Sequence, residues 1–168
     1  MNKNYEVKCK IKSFKKIRDI IVQLNNFSYS AENQSDIYYK VNKGRLKLRI
    51  INNRSGNLIF YQRSEQTNKK ISRYIISQTN NFSELNTILR KQLKVLVIVS
   101  KKREIYIYKN IRIHLDTVKK LGKFLEVEII YNNLESAKFQ MKEIIAALNL
   151  NQFPFIRESY SDLLIKKS

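Results

Sequence analysis

Cysteine, proline, glycine and acidic residues are all scarce in this chain of 168 residues, and tryptophan is absent. A single cysteine, Cys9, excludes an intramolecular disulfide and any zinc-finger cluster. Val7 and Ile11 share its strand face, so a buried structural thiol is expected there. One proline, Pro154, and three glycines leave little room for a hinge, and neither a linker nor an internal repeat interrupts the pattern. Residues 1–168 are therefore expected to form one domain, long enough to bury a real core. The longest apolar run, Val95 to Val99, is far too short to span a bilayer, and the amino terminus lacks an apolar signal core. The expectation is a soluble protein in a reducing, cytoplasmic setting with no membrane partner. Lysine and arginine number 33 against 14 aspartates and glutamates, a formal net charge of +19. Such a balance favours polyanionic partners: nucleic acid, nucleotides, polyphosphate or an anionic membrane surface.

Against that background, the stretch from Arg112 to Glu128 is unusual in what it concentrates. Arg112, His114 and Asp116 alternate with Ile111, Ile113 and Leu115. After a turn near Gly122, Glu126 and Glu128 alternate with Leu125, Val127 and Ile129. Period-two alternation marks strands with one apolar and one polar face. Two carboxylates about 7 Å apart on one strand face, with a third on the preceding strand, make a poor solvent surface but a good hard-cation site.

The same period recurs along the chain. Residues 3–12 alternate Glu6, Lys8 and Lys10 with Val7, Cys9 and Ile11. Ser13 can cap a helix carrying Phe14, Ile17, Ile21 and Leu24 at spacings of three and four. Residues 25–33 read as a polar turn, Gln34 to Val41 as a strand, and Arg45 to Ile51 as another after a Lys43-Gly44 turn. Asn52–Gly56 signals a hairpin into Leu58–Arg63, and residues 71–78 read as a further strand. Ser83 opens a helix through Leu85, Ile88, Leu89 and Leu93. Val95–Ser100 reads as a buried strand ending in Lys101-Lys102-Arg103, with Glu104–Tyr108 turning back. Asn133 starts an amphipathic helix through Leu134, Ala137, Met141, Ile144, Ile145 and Leu148, and a short helix near Tyr160 closes the chain. The sum is about eight antiparallel strands with three or four helices, an α+β domain.

Nearly every long strand offers a charged pair spaced by two, and the signs are largely segregated. The middle strands carry Lys47 and Arg49, Arg63, and Lys101 and Arg103; the last strand carries only acids. If the strands curl into a barrel, these polar faces can point inward while the apolar faces pack against helices. Basic side chains then converge on a polyanion, and carboxylates hold a metal that bridges it. This is the combination that phosphoryl-transfer chemistry uses. The alternative is an outward-facing basic sheet that binds RNA or DNA by its phosphates. Glu6, Asp116, Glu126 and Glu128 would repel such a backbone, so nucleic acid is not the favoured partner. His114, the only histidine, has a side chain suited to acid–base work, but its strand position favours a positioning role.

The chain resembles the CYTH superfamily, the triphosphate tunnel metalloenzymes that include class IV adenylate cyclases and thiamine triphosphatases. The resemblance rests on Glu6-Val-Lys8, Gln34-Ser-Asp36-Ile-Tyr38, Leu46-Lys-Leu-Arg49, Leu58-Ile-Phe-Tyr-Gln-Arg63 and Val99-Ser-Lys-Lys-Arg103. It continues through Arg112-Ile-His-Leu-Asp116, Leu121-Gly-Lys-Phe-Leu-Glu-Val-Glu128 and Ser159-Tyr160, all in family order. It implies an eight-stranded antiparallel β-barrel forming a tunnel, with flanking helices and with triphosphate held by inward bases and one or two Mg²⁺ or Mn²⁺ ions. Glu6, Glu126 and Glu128 match the family's metal carboxylates by position, with Asp116 a fourth. Lys8, Lys47, Arg49, Arg63, Lys101, Arg103 and Arg112 match its phosphate ligands. One departure stands out: Asn4 occupies the place of the first glutamate in the family's E-x-E-x-K strand. An amide can still coordinate a hard cation, but one negative charge is lost, which bears on a second metal more than on the first.

The resemblance implies a divalent-metal-dependent enzyme acting on a nucleoside triphosphate or another triphosphate. A class IV adenylate cyclase-like reaction, ATP to cyclic AMP and pyrophosphate, is the first expectation. Hydrolysis of tripolyphosphate, thiamine triphosphate or an RNA triphosphate end is the second, and a non-catalytic RNA- or nucleotide-binding barrel the third. The general base and the oligomeric state, a homodimer included, are not legible at this level.

Overall fold

The computed structural model describes residues 2–64 and 70–167, without the side chains at positions 2, 63, 64 and 70–72. Eight strands, β1 (Asn2–Lys10), β2 (Ser28–Tyr39), β3 (Arg45–Ile51), β4 (Ser55–Ser64), β5 (Lys70–Thr79), β6 (Val95–Tyr108), β7 (Ile111–Val118) and β8 (Gly122–Ile130), close into a barrel. Their order around it is β1-β5-β4-β3-β2-β6-β7-β8, every neighbouring pair is antiparallel, and β1 returns to β8. Helices α1 (Lys15–Leu24), α2 (Phe82–Gln92), α3 (Leu134–Ala147) and α4 (Tyr160–Ile165) flank it, with a single 3₁₀ turn at Leu150–Gln152. The expected α+β barrel is the fold observed.

Alternation decides which way each strand faces. Val7 and Cys9 on β1, Ile113 and Leu115 on β7, and Leu125, Val127 and Ile129 on β8 form the outer wall. They pack under Ile17 and Ile21 of α1 and Ala137, Met141 and Ile144 of α3. Leu125, Val127 and Ile129 have no exposed surface; burying each contributes about 1.5–3 kcal/mol. Asn133 accepts from the Ser136 amide and caps α3, as its sequence position suggests. Cys9 lies in this layer, fully buried, and burial pushes its thiol up to about 12. It is inert packing, not a nucleophile. On the far side α2 lays Phe82, Leu85 and Leu89 over Ile37, Tyr39 and Leu48.

A third apolar cluster lies inside the barrel. Val99 of β6, Val118 of β7 and Phe124 of β8 meet Tyr160 and Leu164 of α4. A full capping box, with Ser159 and Asp162 exchanging hydrogen bonds, fixes where α4 starts. Arg45 of β3 donates to Ser159 Oγ at 2.7 Å and to Asp162 Oδ2 at 3.1 Å. The C-terminal helix is thereby tied to the barrel, with Tyr160 directed inward.

Two sequence-level expectations are corrected. Residues 28–33, expected as a polar turn, belong to the twelve-residue β2. The Lys101-Lys102-Arg103 run does not end its strand: β6 continues to Tyr108, fourteen residues in all. Each strand supplies the other's missing partner, since the β2–β6 ladder runs from Ser28↔Ile107 to Tyr39↔Val95. Backbone pairing over that length outweighs the weak local patterning. At the β3–β4 turn, Asn52 and Asn53 both have positive φ, 50° and 54°. That double left-handed turn matches the twist of a tight hairpin, and asparagine tolerates it.

Candidate active site

The inward faces of the strands surround one cavity. Lys8, Lys47, Arg49, Lys101, Arg103 and Arg112 line it together with Glu6, Asp36, Glu126 and Glu128. Six bases and four acids thus share one interior, and most are nearly inaccessible to solvent: Lys8 is 2% exposed, Lys101 6%, Arg103 5% and Glu126 5%. Buried charges persist only where partners or ligands compensate for desolvation.

The basic wall is built on β2, β3 and β6. Register places Asp36 opposite Arg49 and Tyr38 opposite Lys47. Asp36 accepts two bonds from Arg49, at 2.7 and 2.8 Å. It also accepts from Lys47 at 2.9 Å and from Lys101 at 3.3 Å. Burial pushes its carboxyl up, but Arg49, Lys101 and Lys47 together hold it well below the usual carboxylate range. One negative charge thus faces three cations. The imbalance leaves positive potential in the cavity, which is what a multiply charged anion needs.

Lys101 carries the consequence. Burial, aided by Arg103 and Arg49, lowers its ammonium from the usual range to about 7 although Asp36 opposes the shift. Near pH 8 it is then largely neutral, and an arriving polyanion raises its pKa and draws in a proton. Metal-free binding of tripolyphosphate at pH 8 is therefore expected to take up a sizeable fraction of a proton, and almost none at pH 6. Calorimetry in buffers of different ionisation enthalpy measures this. Equal uptake by wild type and Lys101→Met would remove Lys101 as the source.

The opposite wall is acidic and is built on β1, β7 and β8. Lys8 lies opposite Glu126, with Nζ 2.8 Å from Oε1, and 3.9 Å from Glu6. Arg103 bridges towards this wall, donating to Asp116 at 2.7 and 2.6 Å and to Glu126 at 2.7 Å. The Tyr160 hydroxyl donates to Asp116 Oδ2 at 2.8 Å. Burial raises the Tyr160 hydroxyl well above its ordinary range, with Glu126 and Asp116 adding to the effect, so it stays a proton donor. For Glu126, burial pushes the carboxyl up, while Lys8 and Arg103 hold it well below the usual range. Glu6 stands directly across from Glu128 in the β1–β8 register, and like charges so placed are destabilising.

A divalent cation fits this wall on three grounds. The donors are carboxylates, two of them face each other, and buried acceptors lack partners. Asn4 Oδ1, on the same face as Glu6, is buried without a hydrogen bond, as is His114 Nδ1. Asn4 also lines the cavity, so the residue replacing the family's first glutamate still presents an oxygen there.

Of the eleven side chains singled out from sequence, nine line this cavity. Asp116 lies just behind them, with no exposure and with both oxygens accepting hydrogen bonds from Arg103 and Tyr160. Arg63 sits on β4 opposite Ser72, but its side chain lies outside the described residues. Sequence reasoning missed Asp36 as a site residue, though it stood inside a quoted motif. Its signal was that of a lone acid alternating with Tyr38 and Gln34 on a strand paired with basic ones. Tyr160, whose ring lies 4.2 Å from Lys8 Nζ, was quoted but given no role.

The comparisons agree with this architecture. The CYTH domain family matches residues 2–160, and the chain belongs to that family. Among solved structures, the PH1012 protein from Pyrococcus horikoshii is 25% identical, with a TM-score of 0.85 over 97% of this chain and 99% of that one. A candidate adenylate cyclase from Vibrio parahaemolyticus is 16% identical, with a TM-score of 0.76 over 96% of this chain and 97% of that one. A Hippeastrum protein, HpAC1, described as a candidate adenylyl cyclase with dominant triphosphatase activity, is 13% identical, with a TM-score of 0.69 over 99% and 96%. A search of curated protein sequences finds no significant match. At these identities the last two likenesses concern the fold.

Proposed function

We propose that this protein is a divalent-metal-dependent enzyme that takes a nucleoside triphosphate into the barrel and acts on its phosphate chain. The observation that carries this reading is the gathering of charge inside a closed barrel: β2, β3 and β6 present bases around Asp36, and β1, β7 and β8 present the remaining carboxylates together with Lys8 and Arg112. In this reading Lys47, Arg49 and Lys101 bind phosphate oxygens, Arg49 through a planar fork that Asp36 holds in orientation. Lys8 and Arg103 stand between the walls, and Asp116 with Tyr160 fixes the guanidinium of Arg103. Glu6, Glu126 and Glu128, with the amide oxygen of Asn4, would hold Mg²⁺ or Mn²⁺. Asp116 then acts as a support for Arg103, not as a metal ligand. The cation, when bound, neutralises charge that develops on the phosphates.

The reaction favoured is the cyclase-like one, in which a ribose hydroxyl attacks the α-phosphorus and pyrophosphate leaves. That preference rests on the resemblance: Asn4 in place of the first glutamate weakens a transfer from the hydrolases, and the remaining motifs resemble the cyclase-like branch. Hydrolysis of the triphosphate is the second reading, favoured by the triphosphatase activity of the structurally similar Hippeastrum protein. Incubation with ATP, tripolyphosphate, thiamine triphosphate and triphosphate-ended RNA, with Mg²⁺ or Mn²⁺, separates them by product. Cyclic AMP with pyrophosphate supports the first, and orthophosphate release the second. Free tripolyphosphate is expected to compete fully with the nucleotide for one saturable site. Single-stranded RNA of equal charge without a triphosphate end is expected to compete poorly at physiological salt. Efficient competition by that RNA, steeply salt-dependent and without a metal requirement, would point to a nucleic-acid-binding barrel instead.

Arg49→Ala is expected to weaken tripolyphosphate binding by about 1.5–3 kcal/mol, the range for a hydrogen bond to a charged group. Calorimetric titration measures it, and unchanged affinity would place the phosphates elsewhere. Arg103→Ala is a less clean test, because it also removes a partner from both Asp116 and Glu126.

A further inference from the structure

His114 is 5% exposed, and its Nδ1 is one of three buried side-chain atoms found without a hydrogen-bond partner among the described residues. Strand β7 places it directly opposite Glu126. Its Nδ1 lies 3.7 Å from Glu126 Oε2 and 3.8 Å from Glu128 Oε1. Both separations are too long for hydrogen bonds. A neutral Nδ1 acceptor would aim its lone pair at two anionic oxygens, and an N–H donor would normally close to either oxygen. Only a charged imidazole could form an ion pair at these distances; for a neutral ring the nitrogen is a buried orphan held between two carboxylates, which costs about 1–3 kcal/mol.

A cation between them does account for it. Ligand atoms of His114, Glu126 and Glu128 all lie within 4.8 Å of one another. Two ligands bound at about 2.1 Å to one cation stand roughly 3–4 Å apart, which brackets the separations seen here. We propose that His114 Nδ1 is a direct ligand, with Glu126 and Glu128, of the divalent cation in the barrel. An imidazole in the ligand set tilts the site away from Mg²⁺, which takes oxygen, and towards a transition ion such as Mn²⁺. The inference rests on the metal-dependent reading above and adds to it a nitrogen ligand and a preference among cations.

The test uses full-length, tag-free protein, stripped with chelator and titrated with Mn²⁺ alone. His114 is the only histidine in the chain, so an imidazole ¹⁴N coupling to bound Mn²⁺ can come only from it. Pulsed EPR of the wild type is expected to show that coupling, and His114→Gln to abolish it. Mg²⁺ competition against Mn²⁺ is expected to show the ratio of Mn²⁺ to Mg²⁺ affinity falling about tenfold in the variant. Mn²⁺ bound with no imidazole coupling in the wild type would overturn the ligand assignment and leave a carboxylate-held metal standing. No Mn²⁺ binding at all would overturn both that assignment and the metal-dependent reading. The wild-type spectrum decides the matter even where the variant does not fold.

Discussion

Glu128→Ala is expected to abolish metal-dependent turnover while leaving the barrel folded. Glu128 projects inward from β8 and its side chain keeps 17% exposure, so it is not packed into the outer core. It stands across the β1–β8 ladder from Glu6, and on the other side it faces Arg112. Removing it lifts the repulsion between two facing carboxylates, so the metal-free variant is expected to melt no lower than the metal-free wild type. Added Mg²⁺ or Mn²⁺ should raise the melting temperature of the wild type through binding linkage and do little for the variant. Turnover with identified products and thermal melting with and without metal measure both halves. A variant that keeps full rate, or a wild type indifferent to excess chelator, would remove the carboxylates of β8 from the metal site.

The second large effect is expected at Asp36, which lines the cavity within the basic wall. Asp36→Asn keeps the shape and removes the charge shared by Lys47, Arg49 and Lys101. Breaking a buried pair so that its partners stay uncompensated costs about 3–5 kcal/mol. For a domain of this size that is a fall of roughly 6–20 °C in melting temperature. Tripolyphosphate supplies the missing negative charge, so it is expected to restore more stability to the variant than it adds to the wild type. A variant as stable as wild type, or one not rescued by the anion, would refute the pairing as the wall's support. The sign with pH is fixed by the same pair. Asp36 is held well below the usual carboxylate range despite its burial. Its contribution is therefore fully present above the unfolded carboxyl pKa of about 4 and is lost as pH falls through the lower folded value. In Asp36→Asn that acid-side loss should be smaller.

Strand periodicity made most of the barrel and most of the cavity legible before any coordinates. Lys47 and Arg49, and Glu126 and Glu128, each alternate with apolar neighbours. A period of two can bury one set only by facing the other inward or outward together. The same rule identified Cys9 as packing. Alternation could not say that β6 runs on past Lys101-Lys102-Arg103, because a charge run looks like solvent-exposed chain until its partner is known. In the barrel Lys101 and Arg103 face acids and only Lys102 points out. Residues 28–33 were equally silent, since Tyr29 is 61% exposed and the segment owes its extension to the ladder with β6.

The amino-acid sequence by itself determined most of the strands and most of the inward charges, because these depend on spacing along one strand, and its motifs pointed to the family to which the chain belongs. Only the tertiary structure decided how those charges share partners. That Asp36 serves three cations, that Asp116 is taken up by Arg103, and that His114 Nδ1 faces Glu126 and Glu128 all follow from register between strands, and the docking of α4 adds Tyr160 to Asp116. Register brings together side chains 11 to 65 positions apart, and no local pattern encodes a contact whose partner lies on another strand. Electrostatic work is done at those contacts, so sequence showed which charges enter the barrel and folding alone determined which of them an incoming anion or cation can meet.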